Sequence, residues 1–203
     1  DHYLRRNAYL KPASNRIFLP TGYNANRLFP LKSQIQLFEL SGPPGWPTSA
    51  CGLGIYRDNF LGSDLQGQVF TCESVNLVVH RLKLVPQGAS FVGERPADET
   101  QTEFLASTDN WFRPVQIRTG PEGCLWVVDM HRLVIEHPIW IPPADLARLD
   151  LRAGSTMGRI FRVKPINKQV SAFPIIHDKK PQELVPYMNT SNGTLRDLVM
   201  MQM

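Results

Sequence analysis

Apolar and polar positions alternate over short runs, and the runs come twice in the same order. In the first copy, 51–57 is followed by a turn-rich stretch over 58–67, an apolar run over 68–72 and an alternating run over 77–84, with Arg81 and Lys83 on polar positions. In the second, 112–118 leads through the turn 120–123 into 125–129, and 158–164 closes with Arg162 and Lys164. The segments 79–83 (Val-His-Arg-Leu-Lys) and 160–164 (Ile-Phe-Arg-Val-Lys) are one strand written twice. Alternation with period two, bounded by Gly and Pro turns, predicts β-strands. Repetition of the whole set predicts propeller blades. The expected strands lie near 51–57, 68–72, 77–84, 113–118, 124–129 and 159–164, in two adjacent antiparallel sheets with a boundary near Asn110.

Around this repeat the pattern is less regular. Residues 1–32 read as a long loop with one short strand near 16–19, 33–40 as the outer strand of a preceding blade, and 41–47 as a tight connection. Segments 91–93 and 102–106 bracket a polar stretch, and one of them is expected to supply the outer strand of the first complete blade. The connection 131–157 is long, with a helical turn expected near 143–149, and long connections often carry function. After Pro165 apolar residues take helical spacing over 181–188 and 194–203, with Asn192 and Gly193 as a break. The expectation is a mainly β chain: about two blades plus part of a third over 1–165, a linker over 166–180 and a helical region over 181–203.

Composition agrees, since 42% hydrophobic and 20% charged residues can supply a core, and 17 prolines with 14 glycines in 203 residues suit sheets joined by turns. No apolar run is long enough to span a bilayer as a helix. The net charge of +4, from 22 basic and 18 acidic residues, is scattered rather than clustered, which argues against nucleic acid. The chain starts at Asp1 and stops at Met203 inside a helical pattern, so it reads as an excised piece. Cys51 and Cys72 fall on strands expected to pair, leaving a disulfide in an oxidising compartment or two free thiols as alternatives, with Cys124 left over. His131, Glu136 and His137 do not match the His-Glu-x-x-His spacing of a zinc site, so no metal is expected.

Strand direction gathers the unusual residues. Antiparallel strands in blade order put the connections 42–50, 72–76, 107–114 and 129–157 at one end, and the turns 58–67 and 119–123 at the other. The first end carries Trp46, Glu73, Asp109, Trp111, Arg113, Asp129, His131, Arg132, Glu136 and His137, the second ordinary turn chemistry. Such convergence marks a binding face, with Trp111, His131 and Arg132 as candidate substrate contacts. Each also has a plain reading: Arg113 as the cap of a strand end, Asp109 as partner of its own turn, and Trp46, Trp111, Trp126 and Trp140 as packing.

The segments 48–52, 55–58, 69–73, 103–109, 111–114, 128–130, 135–138, 151–154 and 158–163, with Asn76, His80, Arg81, Gly120 and Gly123, resemble the planctomycete-type membrane-bound dehydrogenase domain of the PVC-type haem-binding protein family. The resemblance covers roughly residues 1–165. It implies kinship with the soluble quinoprotein glucose and sorbosone dehydrogenases, which are six-bladed propellers. It further implies pyrroloquinoline quinone on the convergent face, with Arg113 matching a cofactor-contacting arginine and Asp109 and Glu73 beside it. The relatives carry a lysine on the quinone near the place of Glu73, and their catalytic histidine lies in earlier blades. No catalytic residue is therefore assigned in this chain. The tail resembles the start of α-helical HEAT-like repeats, and haem c belongs to a Cys-x-x-Cys-His module that does not occur in this sequence. The implied function is oxidation of a sugar or alcohol in the periplasm or cell envelope, with electrons passing to the haem module and the remaining blades as partners. The rival is a non-catalytic propeller that binds carbohydrate or a protein.

Overall fold

The computed structural model describes residues 26–32 and 45–203, together with Arg6, Asn7 and Tyr9. The strands expected near 16–19 and 33–40 lie outside the described residues, as does most of the 41–47 connection.

The chain is mainly β, and its antiparallel strands form two sheets. In the first, β1 (Ala50–Ile55) pairs β2 (Val69–Glu73), which pairs β3 (Val78–Gln87). The expected single outer strand is in fact two: β4 (Ser90–Glu94) pairs the far half of β3, and β5 (Leu105–Ala106) pairs Val78 and Val79. The reason is the polar stretch between them, which leaves the sheet in a 3₁₀ turn at Ala97–Glu99 and is anchored by Arg95 Nη1 on the carbonyls of Glu99 and Thr102, both at 2.9 Å. The second sheet runs β6 (Pro114–Thr119), β7 (Leu125–Asp129), β8 (Arg159–Val163).

One core joins the sheets. Tyr56, Phe70, Cys72 and Val79 of the first pack against Ile117, Leu125 and Val127 of the second. Burying each large apolar side chain contributes roughly 2 kcal/mol. The two first strands, β1 and β6, come close enough that β1 cannot carry side chains where they meet. A Cβ on Gly52 would overlap the Val115 carbonyl, and one on Gly54 the Ile117 carbonyl. Gly52 also sits at φ +57°, a conformation that costs other residues about 1–2 kcal/mol.

The 131–157 connection has a small core of its own, Val134 and Ile141 with Leu146, Leu149 and Leu151, around the single turn α1 (Pro143–Leu146). The segment after β8 ends in α2 (Pro181–Leu184), a 3₁₀ stretch Val185–Asn189 and α3 (Gly193–Gln202). The expected helix over 181–188 is thus one α-turn followed by a tighter one, because Pro186 cannot donate to an α-helical ladder. Asn192, read as a break, is the N-cap of α3: its side chain accepts from Leu195 N at 2.7 Å. Its amide also donates to Asp58 Oδ2 at 2.6 Å and the Gly120 carbonyl at 2.8 Å, which docks α3 on the turn-bearing end of both sheets. Among the described residues no helix is long and apolar enough to cross a membrane.

Gly52→Ala is expected to lower stability by roughly 3 kcal/mol or more, a left-handed penalty plus the cost of overpacking against backbone. Gly67→Ala, at φ +80° with nothing within 4 Å of the added methyl, should lose only about 1 kcal/mol. Urea denaturation of the two variants checks this, and equal losses would show that the β1–β6 contact does not need glycine.

Candidate functional site

At the loop-bearing end the sequence folds so that buried charges meet main-chain groups. Glu73, the last residue of β2, is 1% exposed. Its Oε1 accepts from the Thr48 amide at 3.1 Å, the Thr48 hydroxyl at 3.2 Å and the Ser49 amide. Its Oε2 accepts from the Asn76 amide at 2.6 Å and the Asn76 side chain at 2.8 Å. Asn76 in turn donates to the Trp46 carbonyl at 2.8 Å and accepts from Gly45 N at 3.0 Å, so one carboxylate and one amide fix the entry loop and the β2–β3 turn together. A lysine at this place would direct an ammonium at amide donors. The carboxylate is the group that the local backbone needs.

Arg113 stands just before β6 and is 8% exposed. Its Nε donates to the Arg132 carbonyl at 2.7 Å, Nη1 to the Ser74 carbonyl at 2.8 Å and Nη2 to the Leu133 carbonyl at 2.8 Å. The fork of the guanidinium thus ties the β2–β3 turn of the first sheet to the long connection of the second. Burial lowers its pKa, against the carboxylates of Glu73, Asp129 and Asp109, which hold it up. Asp129 at the end of β7 is fully buried and accepts from Arg113 N at 2.7 Å, His131 N at 2.8 Å and Arg159 Nε at 2.8 Å.

Arg159 bridges onward to Asp109 Oδ2 at 3.0 Å. The Asp109 carboxyl lies below its ordinary range, chiefly because it accepts the Trp111 amide, with Arg159 adding to the effect. Trp111 lies beside His131, ring centroids 5.5 Å apart and tilted by 31°. His131 is 9% exposed, sits at φ +52°, and holds its Nδ1 at 3.8 Å from Asp129 Oδ2 with no hydrogen-bond partner. Over it closes the end of the long connection, where a Cβ on Gly154 would overlap the His131 carbonyl. Arg132 reaches the same segment through Nη1 on the Arg152 carbonyl at 2.8 Å. Glu136 and His137 are exposed, and His137 Nδ1 accepts from Ile139 N at 3.2 Å as a cap.

The gathering expected from strand direction is therefore present: Glu73, Asp109, Arg113, Asp129 and His131 converge at one end, while Asn59 and Glu122 are at the other. The residues to which the resemblance assigns cofactor contacts, Arg113, Asp109 and Glu73, are each hydrogen-bonded within the protein. Pyrroloquinoline quinone is a polyanion; three of the five Arg113 N–H donors go to carbonyls, and Glu73 is itself an anion held by amides. Of the two alternatives left open for Cys51 and Cys72, the structure has the free thiols. Cys51 and Cys72 do lie opposite each other in the β1–β2 register, but all three cysteines are free. Cys51 turns its thiol to the Pro114 carbonyl at 3.7 Å, and burial pushes the Cys72 thiol up to about 12. Among the described residues no group of three or more His, Cys, Asp or Glu side chains could hold a metal ion.

A second buried charge cluster, on β3 and the stretch after β4, was not singled out from the sequence. Glu103 accepts from Phe29 N and from Arg95 Nη2, each at 3.0 Å, and pairs with His80 Nδ1 at 2.7 Å. It borders a 540 Å³ cavity whose wall also includes Arg27, Phe29, Gln101 and Ala106. Arg81 binds Asp98 through Nη2 at 2.6 Å and Glu99 through Nε at 2.9 Å, and Glu99 Oε2 is buried without a partner. The signal in the sequence was His80 and Arg81 side by side in an alternating strand, followed by an acidic stretch.

A family model described as a domain of unknown function, DUF7133, matches residues 1–167, and the chain belongs to that family. No curated protein and no solved structure matches it.

Arg113→Lys is expected to cost roughly 3 kcal/mol of stability, because one ammonium cannot satisfy three separated carbonyls. Chemical denaturation measures it, and a loss below about 1 kcal/mol would leave the clamp without weight. A second expectation concerns Glu99, whose carboxyl burial pushes up to about 7. A raised folded-state pKa stabilises fully below the ordinary glutamate value of about 4.3 and loses that contribution as pH rises through the folded value. Glu99→Gln should therefore flatten the decline in Tm between about pH 4.3 and the folded-state value, with thermal melts across that window as the test. Parallel wild-type and variant profiles would contradict it.

Proposed function

We propose that the two sheets are adjacent blades of a six-bladed, dehydrogenase-like propeller and that the tail opens a helical, HEAT-like region. In this reading the blades form part of a face that takes a sugar or alcohol. Oxidation and electron transfer to a haem module belong to other parts of a full-length protein in the periplasm or cell envelope. The observation that carries this reading is the division of labour at the loop-bearing end. The buried charges Glu73, Arg113 and Asp129 are consumed by backbone, and the side chains left over are aromatic or carry spare hydrogen-bonding capacity. Trp46 is 42% exposed, Trp140 62%, and Trp111 lies half-buried beside His131. A hydroxylated ligand asks for such a surface, since its C–H faces pack on rings while its hydroxyls find polar partners.

A second reading, a non-catalytic propeller that binds carbohydrate, is favoured by Glu73, which stands near the place where the quinoprotein relatives carry lysine. The two separate in one experiment on the full-length protein, supplied with aldoses, short-chain alcohols, the quinone and an artificial electron acceptor. The expected outcome is sugar- or alcohol-dependent acceptor reduction, with Trp140→Ala raising KM severalfold and leaving kcat within about twofold, because these blades bind rather than react. Binding by calorimetry without acceptor reduction supports the non-catalytic reading, and neither binding nor turnover removes both.

A further inference from the structure

His131 combines features that a packing residue has no use for. It is a non-glycine residue in the left-handed region, at φ +52°, which costs of order 1–3 kcal/mol unless something requires it. Leu77, the other such residue among those described, has a structural return: its side chain is 1% exposed and its carbonyl accepts from Ser107 N at 3.1 Å. At His131 the backbone N–H has its return in Asp129 Oδ1 at 2.8 Å, but the imidazole does not: the residue is 9% exposed and its Nδ1 has no hydrogen-bond partner. An unpaired buried polar atom in a low-dielectric setting is expensive, so its position next to Asp129 calls for an explanation. The Asp129 carboxylate at 3.8 Å favours the proton on Nδ1, which leaves Nε2 as the nitrogen able to accept from a ligand. The Trp111 indole lies 5.5 Å away, and Gly154 lets its segment pass close to the His131 carbonyl and the Trp111 ring.

The charges around this ring cancel: Arg113, Arg132 and Arg159 stand against Glu73, Asp109 and Asp129. A site with no net charge has nothing to draw an ion, whereas a neutral hydroxyl matches a single acceptor beside an aromatic face. We propose that His131 and Trp111 form a hydroxyl-binding subsite, in which a hydroxyl of a neutral polyol donates to His131 Nε2, a C–H face of the same ligand packs on Trp111, and Asp129 holds the imidazole tautomer. This rests on the proposed reading of the face as one that takes a sugar or alcohol, and names the group that recognises the hydroxyl. Contacts of this kind often stand long in the free protein and tighten when the ligand arrives, as the 3.8 Å separation allows.

The test uses the full-length protein, with glucose and glycerol as probes in calorimetry and thermal melts for stability. His131→Asn keeps a residue that accepts left-handed φ but removes the imidazole. The expected result is a Tm unchanged or raised, because the orphan ring nitrogen is gone while the backbone is kept, with affinity for the probe that wild type binds at least tenfold weaker. Affinity within twofold of wild type, or a Tm lower by several degrees, would overturn the subsite while leaving the reading of the face intact. If wild type binds neither probe, both are overturned. Should the variant fail to fold, ¹⁵N NMR of the wild-type histidines decides. A shift of the His131 Nε2 resonance at saturating probe supports the subsite, and an unmoved resonance with binding observed elsewhere rejects it.

Discussion

Everything at the loop-bearing end depends on how closely β1 approaches β6. Gly52 and Gly54 let two backbones meet where any side chain would collide with a carbonyl, and this brings the two sheets onto one core. Once they are that close, the connections at their ends are forced together, and their backbone polar groups leave water. The structure answers with a small set of buried charged side chains. Arg113 supplies donors to three carbonyls, Glu73 takes two main-chain amides before β1 and one after β2, and Asp129 takes two more. The charge pattern is therefore first a consequence of packing, and any ligand must work with what packing leaves.

The turn-bearing end follows the same logic with different groups. Asp58 and Gly120, one in each sheet's turn, are joined by the amide of Asn192, and Gly193 N donates to the Arg57 carbonyl at 2.7 Å. Arg57 and Asp197 add an exposed ion pair, worth little by itself at such exposure, whereas the buried Asn192 contacts carry the docking. Tyr56 adds a further cross-sheet tie, its hydroxyl donating to the Gly123 carbonyl at 2.7 Å and accepting from Leu61 N at 2.9 Å. With both ends tied, the two sheets and α3 are bound into one packed unit.

The strands were legible because alternation and turn residues are local. β2 and β7 fall within a residue of expectation, and even the opposition of Cys51 and Cys72 followed from strand direction. Topology alone also gathered Glu73, Asp109, Arg113, Asp129 and His131. What each of them does was not legible, because their partners are backbone groups of distant segments: Arg113 meets Ser74 across 39 positions, and Asn192 meets Asp58 across 134. The division of the outer strand into β4 and β5 depended on the anchoring of Arg95, and the left-handed backbone of His131 on the carboxylate of Asp129, neither of which has a local signature. The free thiols belong to the same class, since the Cys51 side chain turns to Pro114 of the other sheet.

The central claim is that the buried charges at this end hold the architecture and leave the ring of His131 and the indole of Trp111 to meet a ligand. A crystal structure of the full-length protein, soaked with both pyrroloquinoline quinone and glucose, tests it most directly. The account predicts an Arg113 guanidinium still on the carbonyls of Ser74, Arg132 and Leu133, with any sugar density beside Trp111 and His131. A guanidinium that has left those carbonyls to contact an anionic ligand would contradict it.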